Sequence, residues 1–262
     1  MTYWLAEVGS NHNRDIDRTM RLIDTAADIG CDGVKFQLFR ADDLYVRPPA
    51  YLAARELPPE FLPAIAEQCY RAGVDFVCSP FSLDAVVALG PHVDRYKVSS
   101  FDILRLDLLT ALAEEEKPVI ISTGMASDSE IRDAVEVFPD STSVTLLHCV
   151  SAYPTKPRDA NLSRIRALRD RWRVPVGYSD HTANPLVVGY AVNRWGAEMV
   201  EFHFDLDGAG AEYQHGHCFL PDGIAPVIDP HAMEAWDVAD DPADPDQRAD
   251  PTDGKRPRLW AR

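Results

Sequence analysis

The stretch that decides the fold is "YWLAEVGSNHNRDIDRTMRLIDTAADIGCDGVKFQ", Tyr3 to Gln37. It opens on one apolar run, residues 3–8, and closes on another, residues 33–37. Between them Ile16, Met20, Ile23 and Ala27 recur at i, i+4, i+7 and i+11, the spacing of one helical face. Gly30 follows where a left-handed residue would end that helix. A strand, a helix and a second strand in succession form a parallel crossover unit.

The same pattern repeats down the chain. Further strands are expected at 74–78, 93–98, 118–122, 143–149, 175–178 and 198–204, which makes eight in all. Helical spacing returns at Leu104, Leu108, Leu109 and Leu112, at Ile131, Ala134 and Val135, and at Leu186, Gly189, Tyr190 and Ala191. Eight such units imply an α/β fold, a (β/α)8 TIM barrel over residues 1–237. No GxGxxG or GxxxxGK[ST] loop is present to favour an open nucleotide-binding sheet. Residues 238–262 read instead as an acidic, Asp/Pro-rich tail without a hydrophobic period, expected to be flexible. Leu259 and Trp260 near its end offer the alternative of docking back on the body.

Bulk composition narrows the function. The 262 residues are 46% hydrophobic and 26% charged, with a net charge of −16, ordinary for a globular protein except in its acidity. That balance argues against nucleic acid or an anionic membrane as partner. No apolar run approaches the ~20 residues of a membrane helix. No basic and apolar leader opens the chain, so a cytoplasmic location is expected. The five cysteines are scattered and never paired as CxxC, which disfavours a disulfide framework or a zinc–thiolate site.

Catalytic groups in such barrels stand at the C-terminal ends of the strands. Those ends supply Glu7, Asn11 and His12, then Lys35 and Gln37, Ser79, Lys97, Ser100 and Asp102. They continue with Ser122 and Thr123, Ser151 and Tyr153, Ser179, Asp180 and His181, and finally Glu201 and His203. Two lysines and several hydroxyls at one mouth suit a phosphate or carboxylate. The plainer alternative is that Lys35 and Lys97 only pair with Glu7, Asp102 or Glu201. His181 and His203 end adjacent strands, and two imidazoles with open positions suit a divalent first-row ion. His148, inside a strand, reads as a hydrogen-bonded core residue.

Eight motifs, "AEVGSNHN", "GVKFQLF", "CSPFS", "YKVSS", "KPVIISTGM", "LLHCVSAYPT", "VGYSDHT" and "VEFHFDLD", stand in the order found in the N-acetylneuraminate (sialic acid) synthase family. The resemblance spans about residues 4–222. It implies a barrel enzyme, a transferase that condenses phosphoenolpyruvate with the aldehyde of an N-acetylmannosamine-type sugar. The products are a 2-keto-3-deoxy acid and phosphate. A divalent metal is implied, typically Mn2+, with Mg2+ or Co2+ as alternatives, and His181 and His203 look like its ligands. Lys35, Ser79, Lys97, Ser100, Ser122 and Ser179 correspond to the phosphoenolpyruvate site. Glu7, Gln37 and Tyr153 correspond to positions facing the sugar. The resemblance also admits a homodimer.

This sequence departs from the family pattern at four places. Asp102 replaces a glutamate expected near the attacking water, and Ser151 replaces an asparagine. The loop "GAGAEYQHGHC", residues 208–218, puts Gln214 where the family has a sugar-holding aspartate, and leaves Glu212, His215 and His217 without a role. The acidic tail stands where the family continues into an antifreeze-like domain, so the chain reads as the barrel domain only. Two other functions stay open on the residues: a Schiff-base aldolase using Lys35 or Lys97, and a barrel that binds a ligand or partner without catalysis.

Overall fold

The computed structural model describes residues 1–229. Within them β1 (Tyr3–Gly9), β2 (Gly33–Leu38), β3 (Asp75–Pro80), β4 (Arg95–Val98), β5 (Val119–Ser122), β6 (Val144–Cys149), β7 (Val176–Asp180) and β8 (Met199–Phe204) lie side by side in chain order, all parallel. β1 pairs β8 from Tyr3 opposite Met199 to Glu7 opposite His203, which closes the sheet into a barrel. Each strand stands where its apolar run placed it. The crossovers carry α1 (Ile16–Asp28), α2 (Ala41–Leu44), α3 (Leu62–Ala72), α4 (Leu83–Leu89), α5 (Leu106–Glu114), α6 (Asp128–Val135), α7 (Ser163–Trp172) and α8 (Pro185–Asn193). After β8 come a two-residue strand, β9 (Cys218–Phe219), and α9 (Pro221–Ile228). β9 was not legible in the sequence. The segment 238–262, and the barrel's assigned end at 237, lie outside the described residues.

Strand side chains alternate between the barrel interior and the helical layer. Outward go Val34 and Phe36, Tyr96 and Val98, Tyr178, Phe202 and Phe204, all packed in the main core against the helices. Inward go Leu5, Val77, Ile120, Leu147 and Met199, which form a separate apolar plug. Two residues further along the same five strands stand Glu7, Ser79, Ser122, Cys149 and Glu201. The pleat therefore lifts a polar layer directly above an apolar one. It also splits the "SDH" stretch: Ser179 and His181 share the interior phase, whereas Asp180 points the other way. The Asp180 carboxylate accepts from Thr182 N (3.1 Å), Thr182 Oγ1 (2.7 Å) and Ala183 N (2.9 Å) and so holds the turn.

Several helices begin on side-chain caps. Asp15 accepts from Arg18 N at 3.0 Å, and Ser127 forms a reciprocal cap with Glu130. The buried face of α1 differs from the apolar spacing read above. It consists of Arg18, Thr19, Leu22, Ile23 and Ala26, with Ile16, Met20 and Ala27 half-buried. The cause is Arg18: its guanidinium bonds Asn11 O at 2.7 Å and Asp205 Oδ1 at 2.6 Å, which turns the helix toward the barrel rim. Leu104 and Leu186 also depart from their expected faces and are exposed; Leu104 precedes α5, which begins at Leu106. His148 is a buried core histidine, its Nε2 2.8 Å from Ala160 O. All five cysteines are buried free thiols.

Gly177 is the tightest point of the interior layer. A Cβ there would lie 2.1 Å from Met199 O, a backbone atom of the neighbouring strand. Gly177→Ala is expected to destabilise the fold by about 2–4 kcal/mol, read as a lower urea midpoint. An unchanged midpoint would contradict this packing.

Candidate active site

Strand register brings the polar layer to one level. Glu7 stands opposite both Lys35 and His203, Gln37 opposite Ser79, and Ser179 opposite both Cys149 and Glu201. Above it opens a cavity of about 440 Å3, lined by Glu7, Lys35, Gln37, Ser79, Lys97, Ser100, Ser122, Tyr153, Ser179, His181, Glu201 and His203. Twelve of the eighteen residues expected from the strand ends thus converge on one space.

The floor is an ion cluster. Lys35 Nζ lies 2.9 Å from Glu7 Oε2 and 3.7 Å from Glu201 Oε2, and Lys97 Nζ lies 3.9 Å from the same Glu201 oxygen. Ser179 Oγ donates to Glu201 Oε1 at 2.8 Å, and Lys97 Nζ donates to Ser122 Oγ at 2.6 Å. Gln37 Nε2 donates to Glu7 Oε1. The lysines therefore do pair, with Glu7 and Glu201 and not with Asp102. They also face the cavity, so pairing and anion binding are compatible. Burial alone would lower both ammonium pKa values. For Lys35 the carboxylates of Glu201 and Glu7 outweigh it and hold the group above its usual value. For Lys97 burial wins, with Glu201 offsetting part of it, and the pKa falls.

The opposite wall is aromatic and imidazole. The Tyr153 ring lies 4.1 Å from the His181 ring, centroid to centroid, and His181 lies 5.5 Å from His203. His181 Nδ1 donates to Val150 O at 2.6 Å, which leaves Nε2 with its lone pair. Burial, then the nearby His203, push the His181 pKa down to about 3, so the ring is neutral. His203 Nδ1 sits 3.0 Å from Glu212 Oε2. His203, Glu212, His217 and Cys218 each offer a donor atom within 4.8 Å of the others. Imidazole nitrogens, a carboxylate and a thiol suit a first-row divalent ion better than the all-oxygen sites of Ca2+. The residues present fit such an ion.

Three residues that the family resemblance brings to the site stand away from the cavity, as do Asn11, His12, Thr123 and Asp180 among the strand-end residues. Asp102 is buried behind Ser99, whose Oγ donates to it at 2.6 Å, with Arg105 Nη1 4.0 Å away. Ser151 lies beneath the rim with its Oγ 3.2 Å from Ser100 Oγ. Gln214 is exposed on a short 3-10 turn, and Glu212 points inward in its stead. Arg55 lines the mouth without having been expected, reaching Ala211 O at 3.3 Å. It comes from an irregular stretch with no strand-end position to announce it. The rim residues Asn11 and His12 are structural: Asn11 Nδ2 donates to Phe204 O at 2.9 Å, and His12 Nδ1 accepts from Arg14 N at 2.9 Å.

The sequence profile of the NeuB family matches residues 22–235. The chain belongs to the NeuB family. This NeuB chain is 38% identical over 214 residues to an uncharacterized protein of Methanocaldococcus jannaschii, covering 79% of this chain and 63% of that one. It is 36% identical over 229 residues to the N,N'-diacetyllegionaminic acid synthase of Legionella pneumophila, covering 78% and 64%. The crystal structure of the N-acetylneuraminic acid synthetase from Leptospira borgpetersenii, in complex with citrate, superposes with a TM-score of 0.81 at 31% identity, covering 89% of this chain and 82% of that one. The present chain thus spans under two thirds of the length of these two curated relatives.

Asp102 gives a pH signature. Burial is the main cause pushing its carboxyl up, from 3.8 to about 6, against the opposing pull of Ser99 and Arg105. Between those values the folded state holds a proton that the unfolded state has lost, so stability falls as pH rises through that window. Asp102→Asn is expected to flatten the slope and raise stability above pH 7 by about 1–3 kcal/mol, measured by urea melts at pH 4 and pH 8. A slope identical to that of the parent chain would refute the assignment.

Proposed function

We propose that this chain condenses phosphoenolpyruvate with an aldehyde of the sialic-acid precursor type, such as N-acetylmannosamine, to give a 2-keto-3-deoxy acid and phosphate. The observation that carries the reading is the cavity itself. Two buried lysines with hydroxyl donors form one side, and a wall of imidazoles that includes the neutral His181 forms the other. One side suits a dianionic phosphate ester and its carboxylate, the other a polarised carbonyl. Family membership supports the same reading, since named relatives are an N,N'-diacetyllegionaminic acid synthase and a pseudaminic acid synthase.

The balance of the reaction assigns work to each side. The C3 carbon of phosphoenolpyruvate bonds to the aldehyde carbon, and the aldehyde oxygen takes up a proton. Water then adds at C2 and gives up one proton. The C2 hydroxyl so formed gives up its second proton as the ketone forms, the bond from C2 to the phosphate oxygen breaks, and inorganic phosphate leaves with that pair of electrons and takes up the proton. Lys35 and Lys97 hold the carboxylate and phosphate, with Ser79, Ser100 and Ser122 as directional donors, while Ser179 holds Glu201 in place. Glu7 and Glu201 face the cavity, where a carboxylate favours the positive charge that develops at C2 and orients the entering water. Asp102, behind Ser99, supports the loop that presents Ser100. A divalent ion held at His181 and His203, most simply Mn2+, supplies Lewis-acid polarisation of the aldehyde oxygen when bound. Tyr153 packs on His181 and shields that side from solvent.

A second reading rests on Lys97. An amine whose pKa falls on burial is suited to attack a carbonyl and form a Schiff base. Borohydride with substrate would then leave a covalent adduct on that lysine, whereas the condensation leaves none.

The test is phosphate release from phosphoenolpyruvate across a panel of aldehydes. It is expected only when phosphoenolpyruvate, an aldehyde and Mn2+ are all present. A chelator should abolish it. His203→Ala and Lys97→Met should each lower kcat/KM by about 100-fold or more. Full activity in chelator would sink the metal dependence, and a borohydride adduct on Lys97 would favour the aldolase.

A further inference from the structure

The loop between β8 and β9 contains a buried carboxylate that neither the strand-end pattern nor the family resemblance employs. Glu212 is fixed at both ends independently of any histidine. Its N–H donates to Asn11 Oδ1 at 2.7 Å, and its Oε1 accepts from Ser10 N at 2.7 Å. Gly9, at φ +53°, makes room for it: a Cβ there would lie 2.3 Å from Oε1. Asn11 in turn is held by Arg18, which is locked to Asp205, and Asp205 Oδ2 accepts from Gly208 N at 2.8 Å and Gly210 N at 3.1 Å. The loop is thus built to deliver one oxygen, Oε2, to a fixed point.

Among the described residues, that point has imidazoles and no ammonium or guanidinium within 4 Å. Oε2 lies 3.0 Å from His203 Nδ1 and 3.7 Å from His217 Nε2, and the two rings are 4.4 Å apart, centroid to centroid, at 76°. His217 is buried, and its Nδ1 has no hydrogen-bond partner. Ligands about 2.1 Å from one ion at 90° to 110° stand roughly 3.0–3.5 Å from each other, close to these separations. Charge points the same way. The cavity carries three carboxylates, Glu7, Glu201 and Glu212, against Lys35, Lys97 and Arg55. That sums to neutrality in a site meant for an anionic substrate, and a divalent ion makes it positive.

We propose that Glu212 and His217 join His203 as metal ligands, forming a two-histidine, one-carboxylate set on the β8 side of the mouth. The proposal deepens the metal dependence proposed above: the donor set extends beyond the His181–His203 pair and includes an anion. Such a set selects a first-row divalent ion over Mg2+ and leaves positions open for substrate oxygen. His203 is the hinge of the arrangement, shared by both groupings.

The experiment is binding of Mn2+ to the full metal-free chain, followed by electron paramagnetic resonance, with pulsed measurement of the nitrogen couplings of coordinated imidazole. Glu212→Gln and His217→Gln are each expected to weaken binding by at least 100-fold. His217→Gln should also remove one imidazole coupling from whatever ion remains bound at high Mn2+. His217→Asp, which restores a donor, should recover at least 10-fold of the lost affinity while the coupling stays absent. The recovery separates loss of a ligand from loss of fold. If His217→Gln keeps both the affinity and all couplings of the parent chain, the inference is overturned and Glu212 only orients His203. Phosphate release is read in parallel on the parent chain. Metal binding through these residues without phosphate release would sink the proposed reaction and leave the donor set standing. Metal-dependent release with parental couplings in His217→Gln would do the reverse.

Discussion

The site depends on one carboxylate placed between two ammonium groups. Glu201 Oε2 lies within 4 Å of both Lys35 and Lys97, deep in the barrel and under the rim. Two buried like charges repel and cannot both stay ionised unless an anion stands between them. Glu201 supplies that anion, and Ser179 fixes its other oxygen. Without it, burial would drive one lysine neutral and the floor would lose one of its two ammonium charges. The apolar plug of Leu5, Val77, Ile120, Leu147 and Met199 beneath keeps water out from below. Their low-dielectric floor is why each charge above counts for more than it would in water.

The two walls of the cavity are held by different means. The lysine side is set by strand register: each side chain stands on a strand whose neighbours are hydrogen-bonded on both sides. The imidazole side rests partly on a loop, made rigid by polar contacts instead of ladders. Arg18, Asp205 and Asn11 form a buried chain of charge-assisted bonds from α1 to that loop. Each member satisfies the next, which removes the cost of burying an arginine and an aspartate.

The strands were legible because a strand buried on both faces must be apolar throughout, interrupted only where function requires. The polar intrusions in those runs, Glu7, Lys35, Lys97, Ser179 and Glu201, were therefore visible as site candidates. What the sequence hid follows from the same logic. Arg18 belongs to a buried face yet is charged, so apolar spacing set the face of α1 slightly askew. Glu212 sits in a glycine-rich loop with no period to fix its direction, and the family pattern points instead to Gln214, which is exposed. Arg55 comes from a stretch of short turns between β2 and α3, where neither period applies. Asp102 stands at a strand-end position yet turns back under Ser99, a contact that no local pattern encodes.

The return of β9 to β8 has a consequence for how such a protein changes over time. His203 and Phe204 pair with Cys218 and Phe219, so the segment between them leaves and rejoins the same strand. It behaves as a cassette, closed at its base and clasped by α1. Its residues can be exchanged without altering the register of any other strand or the lysines on the far side. The segment thus brings Glu212, His215 and His217 to the mouth on one short replaceable loop, while Lys35, Lys97, Glu201 and His203 are distributed over the barrel strands. A barrel divided in this way can change the lining of one side of its mouth by local replacement and keep the ion cluster of its floor intact.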